Sequence, residues 1–303
     1  MSGFVKVFVT GATGSIGRPV ALALRRAGHE VLGLARSPEK ARALAVEEIQ
    51  PVLGTLEEPE TLFQAATACE VIVHAAADAG PGMFTLDRGA LEMLLGAAGV
   101  GPRPKTLIYT SGTWIYGDTS GRRVDETAPL NPPRYASDRV RHERMVLESS
   151  GVSGLVLRPG CVYGRQGSLT SIWFEGAAKG ALEIVGDGTA RWALVHQNDL
   201  ADAYVRAVES GLSGEIFNVA ESESPSVSEM VRAVARATGY TGGIRSLTVQ
   251  EAVVRFGAFA ECLAYDQQLD SGKAERLLGW RPRHRGFVEE VATYFEAWKA
   301  ASS

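Results

Sequence analysis

Three glycines at three-residue spacing, Gly11-x-x-Gly14-x-x-Gly17, lie between an apolar run and a stretch of helical period. Glycines placed there allow a tight turn and let backbone N–H groups approach a pyrophosphate, whose charge the following helix N-terminus favours. Thr13, Ser15 and Ile16 of the same loop join them as expected cofactor contacts. A plain structural turn is the competing reading, and the position inside a strand–helix–strand unit is what weighs against it. About 20 residues past such glycines, an acid would bind the ribose 2′-OH of NAD. This chain instead has Ala35, Arg36, Ser37 and Pro38, with no acid before Glu39. A guanidinium pairs a 2′-phosphate through charge-assisted hydrogen bonds, so Arg36 points to NADP(H), with NAD(H) as the second choice. A solvated surface charge is the alternative role of Arg36.

The elements that must hold these residues follow from the apolar pattern. Phe4 to Val9, Val31 to Leu34, Ile49 to Leu53, Val71 to Ala75, Lys105 to Thr110 and Ser153 to Leu157 read as strands. Helical stretches lie at Ile16–Ala27, which stops at Gly28, then at Glu39–Val46, Glu60–Ala68, Gly82–Ala98 and Arg134–Ser149. Regular alternation of this kind means an α/β fold, a doubly wound parallel sheet with helices on both faces. Ligands on such sheets bind beyond the carboxyl ends of the strands. The rule singles out Thr55-Leu56, His74-Ala75-Ala76-Ala77, Thr110-Ser111-Gly112 and Arg158-Pro159-Gly160.

The 303 residues are 45% apolar and 22% charged, which is ordinary for a globular protein with a sizeable core. A net charge of −4 gives no electrostatic reason to bind nucleic acid, and the lack of a run of about 18 apolar residues argues against a membrane span. Cys69, Cys161 and Cys262 are scattered and odd in number, which fits a reducing compartment. The glycine motif begins almost at the N-terminus, where a cleaved signal would remove it, so a cytoplasmic location is expected. His29, His74, His142, His196 and His284 have no metal-ligand spacing, and no metal is expected.

Taken together, these residues resemble the extended short-chain dehydrogenase/reductases of the NAD-dependent epimerase/dehydratase branch. The resemblance spans nearly the whole chain. It rests on the three glycines, Val73-His74-Ala75-Ala76, Ile115-Tyr116-Gly117 and Arg158-Pro159-x-x-Val162-Tyr163-Gly164. Gly186-Asp187-Gly188, Val195-His196-x-x-Asp199-Leu200-Ala201, Phe217-Asn218-Val219 and Leu278-Gly279-Trp280-x-Pro282 extend it. It implies a Rossmann-type dinucleotide domain, residues 1–165 with 190–219, and a smaller, mostly helical substrate domain, residues 166–189 with 220–303. Glu215 to Val219 is expected to rejoin the main sheet. Helices are expected around Ser168–Lys179, Ser226–Thr238, Val249–Ala258 and Gly286–Ala300, and Asn198 or Asp199 as the cap of another.

The family's catalytic set is a Ser or Thr hydroxyl with Tyr-x-x-x-Lys. Here Tyr135 is kept, the lysine is Arg139, and the hydroxyl position is Gly112, between Ser111 and Thr113. A fixed cation beside the phenol would lower its pKa, Arg139 would hold ribose hydroxyls, and Ser111 or Thr113 would stand in for the missing hydroxyl. Sugar-nucleotide 4,6-dehydratases carry an Asp-Glu pair where this chain has Thr113-Trp114, so that elimination lacks its acid and base. Arg191, after the Gly186-Asp187-Gly188 turn, is either a substrate-phosphate ligand or a surface ion pair. Cys161 reads as a packing thiol, His196 as structural, and Trp114, Trp173 and Trp192 as core before pocket.

The leading expectation is an NADPH-dependent reductase of a small carbonyl or conjugated metabolite, with Tyr135 as proton donor assisted by Arg139. An epimerase of the nucleotide-sugar type with retained NAD(P) comes second, and a non-catalytic NADP(H)-binding sensor third. Apart from the small-molecule substrate, the family habit implies a homodimer through Met83–Ala98 and Arg134–Ser149.

Overall fold

The computed structural model describes residues 3–77, 82–164 and 168–302; the domain boundary expected at residues 165–166 lies outside them. Among the described residues seven strands form one parallel sheet: β1 (Lys6–Thr10), β2 (Glu30–Ala35), β3 (Gln50–Leu53), β4 (Val71–His74), β5 (Lys105–Thr110), β6 (Val152–Pro159) and β7 (Glu215–Val219). Their order is β7-β6-β5-β4-β1-β2-β3. The chain therefore builds outward from β1 in one direction, returns to β4, and builds outward in the other. The crevice between β1 and β4, where the direction reverses, is the place such sheets bind ligands.

Both faces of the sheet are covered, so apolar residues at successive strand positions enter different cores. Val7 and Val9 pack on one side with Val20, Ala21 and Leu24 of α1 (Gly17–Arg26) and with Leu200, Ala203 and Tyr204 of α7 (Gln197–Glu209). Phe8 packs on the other, with Leu62 of α3 (Pro59–Thr67), Leu91 and Leu94 of α4 (Met83–Ala98) and Val146 of α5 (Ser137–Leu147). The short helix α2 (Pro38–Val46) is started by Ser37, whose hydroxyl accepts from Lys40 N, with proline at its first position.

Local readings shift in three places. Phe4 lies outside β1 and is 82% exposed, its ring close to where a Cβ on Gly28 would stand. A 3-10 turn at Arg134–Ala136 precedes α5, which starts only at Ser137. Neither Asn198 nor Asp199 caps α7; the His196 side chain accepts from Asn198 N instead.

The second core lies beyond the carboxyl ends of the strands. Trp173 and Phe174 of α6 (Ser171–Ala178), Met230 and Val234 of α8 (Val227–Thr238), Ala252 of α9 (Val249–Phe256), and Phe287 and Tyr294 of α11 (Phe287–Ser302) share it. Ser226/Glu229 and Thr248/Glu251 form capping boxes that start α8 and α9. A two-strand pair the periodicity did not reveal, Leu182–Val185 with Ile244–Leu247, supports this lobe. Ala274 and Leu278 of α10 (Gly272–Leu278) and Trp280 pack back into the core beside α7.

Candidate active site and cofactor cleft

A cleft in two joined parts crosses the carboxyl ends of the strands. One part, about 1050 Å³, is lined by Gly11, Thr13, Gly14, Ser15, Ile16, Arg36, Lys40, Thr55, Leu56, Ala75, Ala76 and Ala77. The other, about 890 Å³, is lined by Ser111, Gly112, Thr113, Trp114, Arg139, Pro159, Cys161 and Val162, and it shares Ser15 and Ile16 with the first. Most of the expected cofactor contacts therefore gather on one wall.

The glycine loop is built for close approach. Gly11 has φ +70°, and a Cβ there would stand 2.7 Å from Ala76 Cα. On Gly17 it would stand 2.2 Å from the Gly11 carbonyl oxygen. The loop thus rests directly on the end of β4, with its backbone left toward the cleft, and this fits the pyrophosphate of a dinucleotide. Gly17 itself does not line the cleft; it lets α1 start against the loop. Arg36 directly follows β2 and Lys40 sits in the first turn of α2. Lys40 was missed in the sequence, where the signal was a cation at a helix N-terminus, unfavourable unless an anion binds there.

Thr110 departs from its expected role. Its hydroxyl donates to the His74 carbonyl at 2.8 Å and meets the Tyr204 hydroxyl at 2.5 Å. Strand alternation turns it toward α7, away from the cleft. Thr113 is also engaged, its hydroxyl donating to Gln267 Oε1 at 3.3 Å. The buried Ser111 hydroxyl lines the cleft and has no hydrogen-bond partner among the described residues. Of the two candidates to replace the hydroxyl missing at Gly112, Ser111 is the one left available.

Tyr135 lies half-buried among aromatic rings, its hydroxyl 3.8 Å from Met83 Sδ. Its ring meets Phe84, Trp114 and Phe259 with centroids 5.8, 5.9 and 6.3 Å away. Burial pushes its pKa above the ordinary phenol value, and the Arg139 charge only partly opposes this. Arg139 acts in the expected direction, but burial outweighs it; the guanidinium makes its hydrogen bonds elsewhere. Its Nη1 donates to the Thr110 carbonyl at 3.0 Å and the Tyr109 hydroxyl at 3.4 Å. Cys161 is a cleft residue, and burial pushes its thiol up to about 12, in keeping with a packing thiol.

The profile of the NAD dependent epimerase/dehydratase family matches residues 7–220. The chain belongs to this family. It is an NAD(P)-dependent enzyme of the extended short-chain dehydrogenase/reductase type, with the altered catalytic set just described. An uncharacterized Schizosaccharomyces pombe protein is 28% identical over 296 residues, covering 95% of this chain and 99% of its own. The 4-hydroxy-2-methyl-3-oxo-4-farnesyl-3,4-dihydroquinoline-1-oxide ketoreductase of Stigmatella aurantiaca is 28% identical over 227 residues, 70% of this chain and 67% of its own. The crystal structure of Bacillus cereus UDP-glucuronic acid 4-epimerase with UDP-glucuronic acid and NAD superposes with a TM-score of 0.82 at 20% identity, covering 98% of this chain and 99% of that one. That last likeness is one of fold.

Beneath the family's catalytic positions lies a polar layer that the motifs did not announce. Register sets Thr10, His74 and Tyr109 side by side on adjacent strands. Asp87 of α4 and His142 of α5 come down onto that row. The Asp87 carboxylate meets His74 Nε2 at 2.9 Å, His142 Nδ1 at 2.8 Å and the Tyr109 hydroxyl at 2.8 Å. A carboxylate only accepts, so all three groups donate to it, and the Thr10 hydroxyl completes His74 by donating to Nδ1 at 2.7 Å. Burial opposes ionisation of Asp87, but the two histidine hydrogen bonds and the Arg139 charge outweigh it and hold the carboxyl well below the usual range. In this chain, then, the cation at the family's lysine position has a buried counter-charge.

Other motif residues also serve the scaffold. Glu143 binds Arg158 through both its oxygens, at 3.0 and 2.6 Å; Arg158 donates to the Tyr116 hydroxyl, and Tyr116 to Asn218, each at 2.7 Å. Arg191 donates to the Ser224 carbonyl at 2.8 Å and lies 4.0 Å from Glu229, outside the cleft lining, which is the surface role. Trp173 and Trp192 stack in the second core, with centroids 5.3 Å apart, while Trp114 is half-buried on the cleft wall.

Proposed function

We propose that the chain is an NADPH-dependent reductase of a small carbonyl or conjugated metabolite. The observation that carries this reading is the unpartnered, buried Ser111 hydroxyl on the cleft wall, with Tyr135, a phenol that burial keeps protonated, packed against Trp114 of that wall. When bound, the dihydronicotinamide supplies a hydride. Ser111 donates to the substrate carbonyl oxygen, and Tyr135 holds the proton that the reduced oxygen takes up. A reduction calls for an acid at this position, whereas an epimerisation begins with removal of a proton from a hydroxyl by a base. Arg36 and Lys40 at the adenosine end carry the 2′-phosphate preference, so NADPH is the expected donor. The ketoreductase among the relatives supports the reductase reading; the epimerase with retained cofactor is the runner-up.

The test begins with binding, because that needs no substrate. Tryptophan quenching is followed on titration with NADPH and NADH, in the wild type and in Arg36→Ala and Lys40→Ala. Tighter NADPH binding, lost selectively in both variants, is expected. A preference for NADH would remove the basis for the 2′-phosphate assignment. A carbonyl screen read by loss of NADPH absorbance follows; conversion of a nucleotide-sugar without net cofactor turnover would establish the runner-up instead.

A further inference from the structure

Two groups of aromatic rings in this protein contrast in burial. Trp173, Trp192 and Phe287 are 1–3% exposed and fill the second core. Phe84, Trp114, Tyr135 and Phe259 are half-buried and converge from four separate segments. Trp114 and Phe259 stack with an interplanar angle of 22°, and Tyr135 stands edge-on to Trp114 and to Phe84. Trp114 lines the substrate end of the cleft; Phe84 lines a small adjoining cavity, and Arg139 lines both. Trp114 and Phe259 pack against the second core yet, like Phe84 and Tyr135, keep part of their surface exposed. Arg139, the one cation among the described residues of that cleft wall, is already bound to Thr110 and Tyr109.

We infer that the substrate is an uncharged aromatic carbonyl compound whose ring is held edge-on or stacked against Trp114 and Phe259, beside the Tyr135 hydroxyl. A phosphorylated or nucleotide-linked substrate finds no available cation among those described wall residues, while a planar ring finds aromatic faces and edges to complement. The inference rests on the reductase reading for its reaction, but its binding claim can be tested alone.

The probes are acetophenone and cyclohexyl methyl ketone, equal in carbon skeleton and different in aromaticity. With NADPH, the ratio of their kcat/KM values is compared between wild type, Trp114→Leu and Phe259→Leu, so that the intrinsic reactivity of the two ketones cancels. Each substitution is expected to lower the aryl-to-cyclohexyl ratio roughly fivefold, the size of one aromatic pair. Turnover of both ketones with a ratio that neither variant moves would overturn the inference and leave the reductase intact. If neither ketone is reduced, the reductase reading fails for these carbonyls. Calorimetric binding of the same two ketones to NADP⁺-saturated protein then decides: tighter aryl binding that both variants lose upholds the aromatic site, and equal binding overturns it. Unchanged thermal unfolding of Phe259→Leu separates loss of a contact from loss of the fold.

Discussion

Tyr135 and Ser111 divide the chemistry between a proton and a hydrogen bond, and each can be removed separately. Ser111→Ala deletes one donor to developing oxyanion charge and is expected to lower kcat by about 10²–10³-fold with little change in NADPH binding. Tyr135→Phe deletes the acid and is expected to cost about 10²–10⁴-fold. The pH profile distinguishes the two. An acid works while protonated, and burial raises the Tyr135 pKa above its ordinary value, so activity should persist through neutral pH and fall only as pH rises past about 10. That alkaline limb should remain in Ser111→Ala and vanish from the residual rate of Tyr135→Phe. A limb well below that pH in the wild type would mean that a different group supplies the proton.

At the scale of elements, α4 and α5 press acids and histidines onto a strand row that is itself polar. Asp87 shares the buried stripe of α4 with Ala90, Leu91 and Leu94, at helical spacing, and an acid on such a stripe requires partners. Asp87→Asn removes the counter-charge of Arg139 and turns one of the two acceptor oxygens into an NH2 donor facing groups that themselves donate. A loss of about 3–5 kcal/mol in urea unfolding is expected, as for one member of a broken buried pair. The sign with pH follows from linkage. The folded-state pKa of Asp87 lies below its unfolded value, so its contribution is present above the unfolded pKa and fades as pH falls toward the folded one. Wild-type stability should therefore fall more steeply below about pH 4 than that of Asp87→Asn. Parallel curves would show that the carboxylate is not what Arg139 relies on.

Across the whole molecule, two distant family motifs meet as a clasp. Asp199, at the start of α7, accepts backbone N–H groups of Arg283 and His284, each at 3.0 Å, and its carbonyl accepts from Trp280 Nε1 at 2.8 Å. The clasp secures the segment that leads into α11, and α11 packs on α8 in the second lobe. Asp199→Ala leaves both N–H groups without their acceptor. Hydrogen exchange is expected to rise from Trp280 into α11 while the β1–β4 region stays protected. Uniform loss of protection would mean that the lobe and the sheet unfold as one unit.

The glycine loop, the seven-strand alternation and the family motifs were legible in the sequence because they depend on local chemistry. Backbone conformation at Gly11 and the period of apolar residues are set within a few positions of each residue. The ends of β1 and α5 moved because the strand begins only at Lys6, where its pairing with Glu30 of β2 starts, and a 3-10 turn absorbs Arg134–Ala136. Which hydroxyl is available could not be read from Ser111-Gly112-Thr113, since it depends on Gln267, 154 positions from Thr113. Asp87, His142 and the inward-held Arg139 were equally out of reach: they meet through strand register and the docking of two helices. Amino-acid order decided that a dinucleotide fold would form; the tertiary structure decided which side chains remain unpaired at its cleft. Hydrogen-bond saturation and burial are properties of neighbours in space.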